Sequence, residues 1–215
     1  MRRLPVYILI DISSSMRGEP IEAVKVGIST LLSSLSQDPY ALETVCLSII
    51  TYNSKAEQIL PLTEVYKLQV PELVAKGRSA MGEALLLLSE RIDNEVVKTT
   101  PEQKGDWKPL LFLLSDGGYS GPIAKPIEEF KKRKFAVVVA CAAGDKSHID
   151  VLRRITNNVI KISTTETQNI LADFKWISSS ISTTSTKIEN SGNDEVVIQE
   201  LPPLPQEIQI LHSFD

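Results

Sequence analysis

A short apolar run that ends in oxygen-bearing side chains is the feature that most constrains the fold of this 215-residue chain. Val6 to Ile10 is apolar and rich in branched side chains, as expected of a buried strand, and Asp11, Ser13 and Ser15 follow it directly. Pro20 then suits the first turn of a helix. The stretch therefore predicts a strand that leads into a helix, with one carboxylate and two hydroxyls at the junction.

Two further apolar runs, Leu110 to Leu114 and Phe135 to Cys141, have the length and composition of buried parallel strands. Segments with apolar residues at helical spacing separate these runs, including Glu19 to about Ser36 and Met81 to about Val97. Alternating strands and helices indicate an α/β protein: a three-layer, doubly wound, mainly parallel sheet with helices on both faces.

A hairpin adds one antiparallel edge strand to this sheet. Val45 to Tyr52 is predicted to be a strand, Asn53-Ser54 a tight turn, and Ala56 to Leu60 the returning strand. The Asp38-Pro39-Tyr40 segment before the hairpin is predicted to break the first helix.

The oxygen-bearing residues at the end of the first strand indicate a ligand site. Ligands of open α/β sheets bind at the carboxyl ends of the strands. Hard oxygen ligands without a thiolate or imidazole suit Mg²⁺, or another hard divalent ion such as Mn²⁺ or Ca²⁺. Asp11, Ser13 and Ser15 also have a purely structural interpretation, because aspartate and serine are preferred N-caps of helices.

Asp11-Ile-Ser13-Ser-Ser15 resembles the D-x-S-x-S signature that opens the metal-ion-dependent adhesion site of von Willebrand factor A (vWA) domains. Two later segments extend the resemblance over most of the chain, namely Gly77-Arg-Ser79-Ala-Met-Gly-Glu-Ala-Leu85 and Leu111-Phe-Leu-Leu-Ser-Asp116-Gly117. The vWA fold is the doubly wound, Rossmann-like sheet that the alternation of strands and helices predicts.

The resemblance implies a metal site formed by Asp11, Ser13, Ser15, Ser79 and Asp116. Ser13 and Ser15 would bind the ion directly, while the two aspartates would act directly or through water. Ser79 is at the family's threonine position, and this departure keeps the hydroxyl while removing a methyl group. Structural alternatives remain, since Ser79 can cap a helix and Asp116 can form a turn before glycine.

Within the family, the chain resembles the bacterial tellurite-resistance proteins of the TerY type. The resemblance lies in the segments Arg2-Arg-Leu-Pro-Val6, Met16-Arg-Gly-Glu-Pro20 and Gln37-Asp-Pro-Tyr-Ala-Leu42. It implies a role in tellurite resistance and stress response, with links to a partner kinase and a partner phosphatase.

Charge and hydropathy exclude several classes of partner. A net charge of −4 and a pI of about 5.4 argue against nucleic acid as the main partner. No apolar run approaches the ~18 residues that cross a bilayer. Val6 to Ile10 is too short for a signal-peptide core, so we expect a cytoplasmic protein without a membrane partner. Cys46 and Cys141 lie in strand-like runs and are expected to be buried, reduced thiols.

These observations predict a protein-interaction domain that depends on Mg²⁺ and is not an enzyme. An ion held mainly by neutral hydroxyls keeps its positive charge and an open position, which an Asp or Glu carboxylate of a partner protein can complete. A scaffold whose site stays empty is one alternative.

The other alternative is a metal-dependent phosphotransfer enzyme of another α/β family. Phosphatases of the haloacid dehalogenase type also place an aspartate after the first strand, but they need a second acid two residues later. Ser13 stands at that position here and cannot act as an acid or base at neutral pH. The chain also lacks a G-x-x-x-x-G-K-[ST] phosphate loop.

The sequence divides into a vWA domain at residues 1–183 and a polar linker with a proline-containing tail at residues 184–215. The last helix of the domain is predicted to run from Glu166 to about Ile181 and to fray into the serine- and threonine-rich stretch that follows. Residues after about 186 are therefore predicted to be dispensable for folding of the domain. The apolar segment Ile208 to Leu211 is the exception to this argument, because it is able to dock on the domain or to add to a sheet edge.

Overall fold

The fold is one mainly parallel sheet covered by helices on both faces. The computed structural model describes residues 2–143, 148–162, 167–191, 202–203 and 209–210. The strands are β1 (Leu4–Asp11), β2 (Val45–Tyr52), β3 (Ala56–Glu64), β4 (Leu110–Ser115), β5 (Val137–Ala143), β6 (Val159–Ile162) and β7 (Gln209–Ile210). The helices are α1 (Glu19–Ser36), α2 (Pro39–Thr44), α3 (Met81–Glu95), α4 (Ala124–Phe130), α5 (Ile149–Ile155) and α6 (Thr167–Ser191).

The strand order is β3-β2-β1-β4-β5-β6-β7. Strands β2, β1, β4, β5 and β6 are parallel, while β3 and β7 pair antiparallel at the two edges. The predicted doubly wound α/β fold is confirmed, and β7 is an additional antiparallel strand. Because β1 lies between β2 and β4, its carboxyl end is flanked by the carboxyl ends of two neighbours.

Two hydrophobic clusters lie on opposite faces of the sheet and form its core. One contains the buried faces of α1, α2 and α6, and the other those of α3, α4 and α5. Strands β1 and β4 are buried along their whole length, which explains their continuous apolar sequences. The first polar positions on these strands are therefore at their carboxyl ends, where Asp11 ends β1 and Ser115 ends β4.

The structure corrects two predicted boundaries near the hairpin. The Asp38-Pro39 pair ends α1 but also begins α2, because the Asp38 carboxylate accepts hydrogen bonds from the backbone N–H groups of Tyr40 and Ala41. Strand β3 continues past its predicted end at Leu60 as far as Glu64 and includes Pro61. A proline is tolerated there because β3 is an edge strand.

Helix α6 extends ten residues beyond its predicted end near Ile181, to Ser191. Its hydroxyl side chains are satisfied inside the helix, since Ser180 and Thr184 donate to the carbonyl groups four residues earlier at 2.8 Å. Packing against α1 and α2 stabilises the helix, and the hydroxyls of Thr44 and Ser185 hydrogen-bond across the interface. The division of the chain at residue 183 stays a prediction.

Part of the proline-containing tail contacts the domain. The indole N–H of Trp176 on α6 donates to the carbonyl oxygen of Pro202 at 3.0 Å. Gln209 and Ile210 pair antiparallel with Lys161 and Ile160 of β6, so these two residues add a short strand at the sheet edge. Residues 192–201 of the predicted linker lie outside the described residues.

Candidate metal centre

Backbone hydrogen bonds join the loops at the carboxyl edge of the sheet. The loop after β1 is bound to the loop before α3 in both directions: the Ser14 N–H donates to the Gly77 carbonyl at 2.9 Å, and the Lys76 N–H donates to the Ile12 carbonyl at 2.8 Å. These bonds bring the D-x-S-x-S segment beside the segment that contains Ser79.

The loop before α3 is bound in turn to its other neighbours. The Ala80 N–H donates to the carbonyl of Asn53 in the hairpin turn at 2.7 Å, and the Ser120 N–H donates to the Ser79 carbonyl at 2.7 Å. The Ser120 hydroxyl donates to the same carbonyl at 2.9 Å. Ser79 is therefore fixed between the hairpin turn and the loop after β4.

Asp11 is fully buried at the centre of this arrangement. Its Oδ1 accepts a hydrogen bond from the Ser13 backbone N–H at 2.8 Å. Its Oδ2 accepts from the hydroxyl of Ser115 at 3.0 Å and lies 3.2 Å from that of Ser79. Both carboxylate oxygens are thus contacted, by groups from the loop after β1, the loop before α3 and the end of β4.

The other predicted residues lie around this carboxylate. The hydroxyls of Ser13 and Ser15 are 3.0 Å apart, with Ser13 buried and Ser15 exposed to solvent. Asp116 accepts a hydrogen bond from the Gly118 N–H at 2.9 Å, and the Ser79 hydroxyl lies 2.7 Å from the Gly118 carbonyl. The structure therefore brings the five predicted side chains to one edge of the sheet.

The centre contains more hydrogen-bond acceptors than protons to fill them. The single hydroxyl proton of Ser79 faces two acceptors, the Gly118 carbonyl at 2.7 Å and Asp11 Oδ2 at 3.2 Å. In the pair formed by Ser13 and Ser15, one hydroxyl donates and the other accepts. A cation satisfies such excess acceptors without supplying a proton.

The two aspartates, Asp11 and Asp116, have no positively charged partner among the described residues. Burial raises the pKa of Asp11 above its ordinary value, and the negative charge of Asp116 adds to this, while hydrogen bonds from Ser13 and Ser115 oppose it. Within the described part of the chain, no lysine, arginine or histidine forms an ion pair with either aspartate. Nearby positive charge would stabilise the ionised carboxylates.

Tyr52 contributes a buried hydroxyl beside Asp11. Tyr52 is opposite Asp11 in the pairing of β1 and β2, and its hydroxyl lies near Asp11 and Ser115 without a well-formed hydrogen bond. Burial raises the pKa of Tyr52 well above its ordinary value, the Asp11 charge raises it further, and Ser115 opposes both. The oxygen-only donor set fits a hydrated hard cation such as Mg²⁺, Mn²⁺ or Ca²⁺.

The donor set differs from an acidic metal cluster. Among the residues that the structure describes, no group of three or more His, Cys, Asp or Glu side chains could hold a metal ion. The centre combines hydroxyls with only two carboxylates, as the sequence predicted. His148 donates its backbone N–H to the Asp116 carbonyl, and its residue is exposed. The other histidine of the sequence, His212, lies outside the described residues.

Sequence reasoning missed Ser115 and Tyr52. Ser115 ends an otherwise apolar strand and is fully buried, so its position directly before Asp116 was the available signal. Tyr52 gave no such signal, because a tyrosine at the end of a strand is ordinary and its proximity to Asp11 depends on strand pairing. Gly117, with φ of 79°, turns the chain after Asp116 in a conformation that favours glycine.

Comparison with known families gives one match that covers most of the chain. The family model described as von Willebrand factor type A domain matches residues 6–175. A search of curated proteins found no match.

Several solved structures share the fold at low sequence identity. A von Willebrand factor type A protein from Catenulispora acidiphila is 19% identical, with a TM-score of 0.63, over 85% of this chain and 43% of that one. The manganese-loaded TRAP protein of Plasmodium vivax is 18% identical, with a TM-score of 0.56, over 80% of this chain and 73% of that one. The chain spans less than half the length of the Catenulispora protein.

A third example is the pilus adhesin SpaC from Lactobacillus rhamnosus GG in an open conformation. It is 13% identical, with a TM-score of 0.66, over 86% of this chain and 30% of that one. At these identities the similarities concern the fold alone. In the described residues, no helix has the combination of length and apolar character that spanning a membrane requires.

Proposed function

The chain belongs to the von Willebrand factor type A domain family, and from that premise we propose that it holds a protein partner through one divalent cation. Domains of this family generally mediate protein–protein interactions. The observation that carries the proposal is the buried, unpaired carboxylate of Asp11, surrounded by hydroxyls and adjacent to a second carboxylate, Asp116.

In this proposal Ser13, Ser15 and Ser79 supply hydroxyl ligands, while Asp11 and Asp116 contribute directly or through water. The bound ion supplies a positive charge with an open coordination position for a carboxylate of the partner. The protein residues do the rest: Ser115 and the Ser13 N–H orient Asp11, and the joined loops keep the hydroxyls together. Mg²⁺ is the expected ion, with Mn²⁺ or Ca²⁺ as alternatives.

Two of the structural neighbours are consistent with this assignment. The Plasmodium TRAP protein is manganese-loaded, and SpaC is a pilus adhesin. Both share the fold of this chain, so an adhesion-type site at the same edge of the sheet is consistent with them. The physical argument from the unpaired carboxylate stands independently of these proteins.

A metal titration tests the first part of the proposal. Replacing both Ser13 and Ser15 by alanine is expected to lower the affinity for Mn²⁺, followed by electron paramagnetic resonance, by about tenfold or more. Ser14→Ala is the matched control, because Ser14 lies between them and is exposed. Equal affinity in the double variant and the control would remove these hydroxyls from the site.

A capture experiment tests the second part. The full chain is immobilised and exposed to native cell extract with Mg²⁺ or with a chelator, beside the Ser13→Ala and Ser15→Ala double variant. We expect partners that require both the metal and the hydroxyls. Partners that remain bound with chelator and to the variant would contradict an adhesion-type mechanism.

We further propose that the chain is not an enzyme, since Ser13 replaces the acid that a phosphotransfer site of this type needs two residues after its aspartate. Turnover of a generic phosphate ester that survives purification and disappears in Asp11→Asn would favour the phosphotransfer alternative. The scaffold alternative predicts that metal changes neither partner binding nor stability.

We also propose that the chain is a cytoplasmic protein that acts in bacterial tellurite resistance and stress response, with a kinase and a phosphatase as partners. It rests on the resemblance to TerY-type proteins, and the two unpaired, buried cysteines, Cys46 and Cys141, are compatible with a reducing compartment. Identification of the partners captured with Mg²⁺, together with cell fractionation, tests it. Captured partners of other classes would remove the kinase and phosphatase from the proposal.

A further inference from the structure

Three of the loops around the candidate metal centre carry only positive charges. Residues 12–18, 53–55 and 75–80 contain four lysines and arginines and no aspartate or glutamate: Arg17, Lys55, Lys76 and Arg78. The chain as a whole has the opposite balance, with 27 acidic and 23 basic residues. These four residues, here called the basic rim, therefore reverse the sign of the protein's charge at the one edge where the site lies.

Backbone and side-chain contacts place the basic rim beside the proposed ligands. The Arg17 guanidinium donates to the Ala75 carbonyl at 3.2 Å, and the Arg78 N–H donates to the Ser54 hydroxyl at 3.1 Å. Lys76 is bound through its N–H to the Ile12 carbonyl. All four rim residues are exposed to solvent. They lie on the loop after β1, the hairpin turn and the loop before α3, which carry Ser13, Ser15 and Ser79 or are hydrogen-bonded to the loops that do.

Most of the rim's charge is not neutralised within the protein. Lys55 pairs with Glu57 at 3.5 Å, whereas Arg17, Lys76 and Arg78 form no ion pair in the part of the chain that the structure describes. Exposed charges such as these gain little from the folded protein itself, so folding stability does not explain their clustering.

The charge around the site is one-sided. The loop after β4, residues 116–123, contains Asp116 and no lysine or arginine, and its Tyr119 side chain is exposed. Among the acids next to these loops in the sequence, Glu57 pairs with Lys55, while Glu19 and Glu83 lie in the first turns of α1 and α3, where they complement the helix dipoles. Positive potential is therefore concentrated on the side of the site formed by the hairpin turn and the loop before α3.

We propose that the partner segment carries several carboxylates, of which one completes the metal site and the others face the basic rim. This inference rests on the proposed function and specifies the partner: an acidic protein segment that lies across the hairpin turn and the loop before α3. Charges of opposite sign at the edge of an interface increase the association rate and reject partners of the wrong sign. A partner segment with a single acidic residue would place that carboxylate on the metal and no negative charge opposite the basic rim.

Two short synthetic peptides of glycine and serine test the proposal, one with a single Glu and the other with three Glu at alternate positions. Fluorescence anisotropy measures their binding to the full chain with Mg²⁺ and with chelator. In the double variant Lys76→Gln and Arg78→Gln, we expect the affinity for the three-Glu peptide to fall by about three- to tenfold. The affinity for the one-Glu peptide should change by less than about twofold.

The matched control is Lys131→Gln with Lys134→Gln, which removes the same charge from exposed positions elsewhere. Mn²⁺ affinity checks the fold and the site, and it should not fall in the rim variant. Equal losses for both peptides, equal losses in the control variant, or no binding of the three-Glu peptide would overturn the rim proposal. Tighter binding of a single-stranded oligonucleotide of equal charge would replace the protein segment by nucleic acid.

The two proposals fail in different ways. If the three-Glu peptide binds equally well with chelator but weakens in the rim variant, the metal-dependent mechanism is wrong and the basic rim stands. If binding of the three-Glu peptide requires Mg²⁺ but its affinity is unchanged in the Lys76→Gln and Arg78→Gln double variant, the rim proposal is wrong and the metal-dependent mechanism stands.

Discussion

The two ends of the central strand β1 differ in how their buried carboxylates are compensated: one is paired with an arginine, and the other has only neutral hydrogen-bond donors. At the amino end, the Arg3 guanidinium donates to both oxygens of Asp106, at 2.6 and 3.0 Å, and to the Glu95 carbonyl at 2.9 Å. Arg2 lies over the ring of Trp107, with 3.4 Å between its guanidinium carbon and the ring centroid. We call this group of residues the amino-end clasp.

At the carboxyl end, Asp11 is more deeply buried but has only neutral hydrogen-bond donors. A buried carboxylate is costly unless it is paired with positive charge, and replacing a paired group leaves its partner uncompensated. The clasp has its positive charge within the chain and serves the fold. At the carboxyl end no cation of the described residues forms an ion pair with Asp11, and the exposed side chains of the basic rim leave it with neutral donors only. This is the arrangement expected where the cation comes from solution.

The largest effect is expected from Asp11→Asn, which removes the charge and preserves the shape. Affinity for Mn²⁺ should fall by about a hundredfold or more, because one of only two carboxylates is lost. Without metal, the free energy of unfolding should stay equal or rise by about 1 kcal/mol, because an unpaired buried charge disappears. Calorimetry and urea unfolding measure the two quantities, with Asp93→Asn at an exposed position as control. A large loss of metal-free stability would show that Asp11 serves the fold.

The stability of the wild type and of Asp11→Asn should depend differently on pH. Burial raises the pKa of Asp11 in the folded protein above its unfolded value, so the folded state binds the proton more tightly. In chelator, the wild type should therefore gain stability relative to Asp11→Asn as the pH falls through the raised pKa. Urea unfolding at several pH values measures this. A wild type that loses stability relative to Asp11→Asn on acidification would contradict the assignment.

Asp106→Ala breaks the amino-end clasp and should show the reverse pattern. It leaves the Arg3 guanidinium and the Val97 N–H without their carboxylate, so the free energy of unfolding should fall by about 2 kcal/mol. Mn²⁺ affinity should be unchanged. Asp93→Ala, which removes an exposed partner of Arg133, should cost less than about 1 kcal/mol. A clasp variant that loses metal binding while folded would show that the two ends are coupled.

The same difference between the two ends of β1 can be tested with two tyrosine hydroxyls, those of Tyr7 and Tyr52. The Tyr7 hydroxyl donates to Glu95 at 3.1 Å, whereas the Tyr52 hydroxyl is buried beside Asp11 and Ser115 without a well-formed hydrogen bond. In chelator, Tyr7→Phe should therefore lower the free energy of unfolding by about 1 kcal/mol, and Tyr52→Phe should raise it by a similar amount. Thermal unfolding of both variants decides this. Equal destabilisation by the two substitutions would mean that Tyr52 has a partner in solution.

The smallest effect concerns a thiol near the clasp. Burial raises the pKa of Cys46, which lies close enough to Arg3 for the two charges to interact, and burial also raises the pKa of the distant Cys141. Both thiols should react slowly with iodoacetamide in the native protein. In Asp106→Ala, Cys46 should react about threefold faster through local opening, and Cys141 should not. Mass spectrometry locates the label, and equal acceleration at both sites would indicate global unfolding.

The sequence predicted most of the fold but missed some of its helices. The apolar runs and helical spacing predicted the sheet, its helices and the hairpin, because buried parallel strands have a distinctive continuous apolar pattern. Helix α2 and the full length of α6 were missed. In α2 the Asp38-Pro39 pair that ends α1 also starts a new helix, because Asp38 caps it and Pro39 suits its first position. In α6 the contacts with α1 outweighed the weak helix propensity of serine and threonine.

The α6 contacts have a local cause that the sequence does not reveal. Phe174 lies directly against Gly27 of α1, so close that a Cβ atom at position 27 would collide with the ring. The missing side chain lets the two helices approach, and neither residue indicates the other in the sequence. At the metal centre the same limit applies: the ligand types were readable, whereas the contacts of Ser115 and Tyr52 with Asp11 follow only from strand pairing.

The groups that contact Asp11 lie far apart along the chain, and this determines when the site forms during folding. The contact with Ser79 spans 68 positions, and the contact with Ser115 spans 104. Contacts of such separation form slowly, because the entropy of closing long loops is lost before any interaction compensates it. A refolding chain should therefore acquire metal affinity only after β1 has paired with β2 and β4. Added Mg²⁺ would then slow unfolding while leaving the folding rate nearly unchanged.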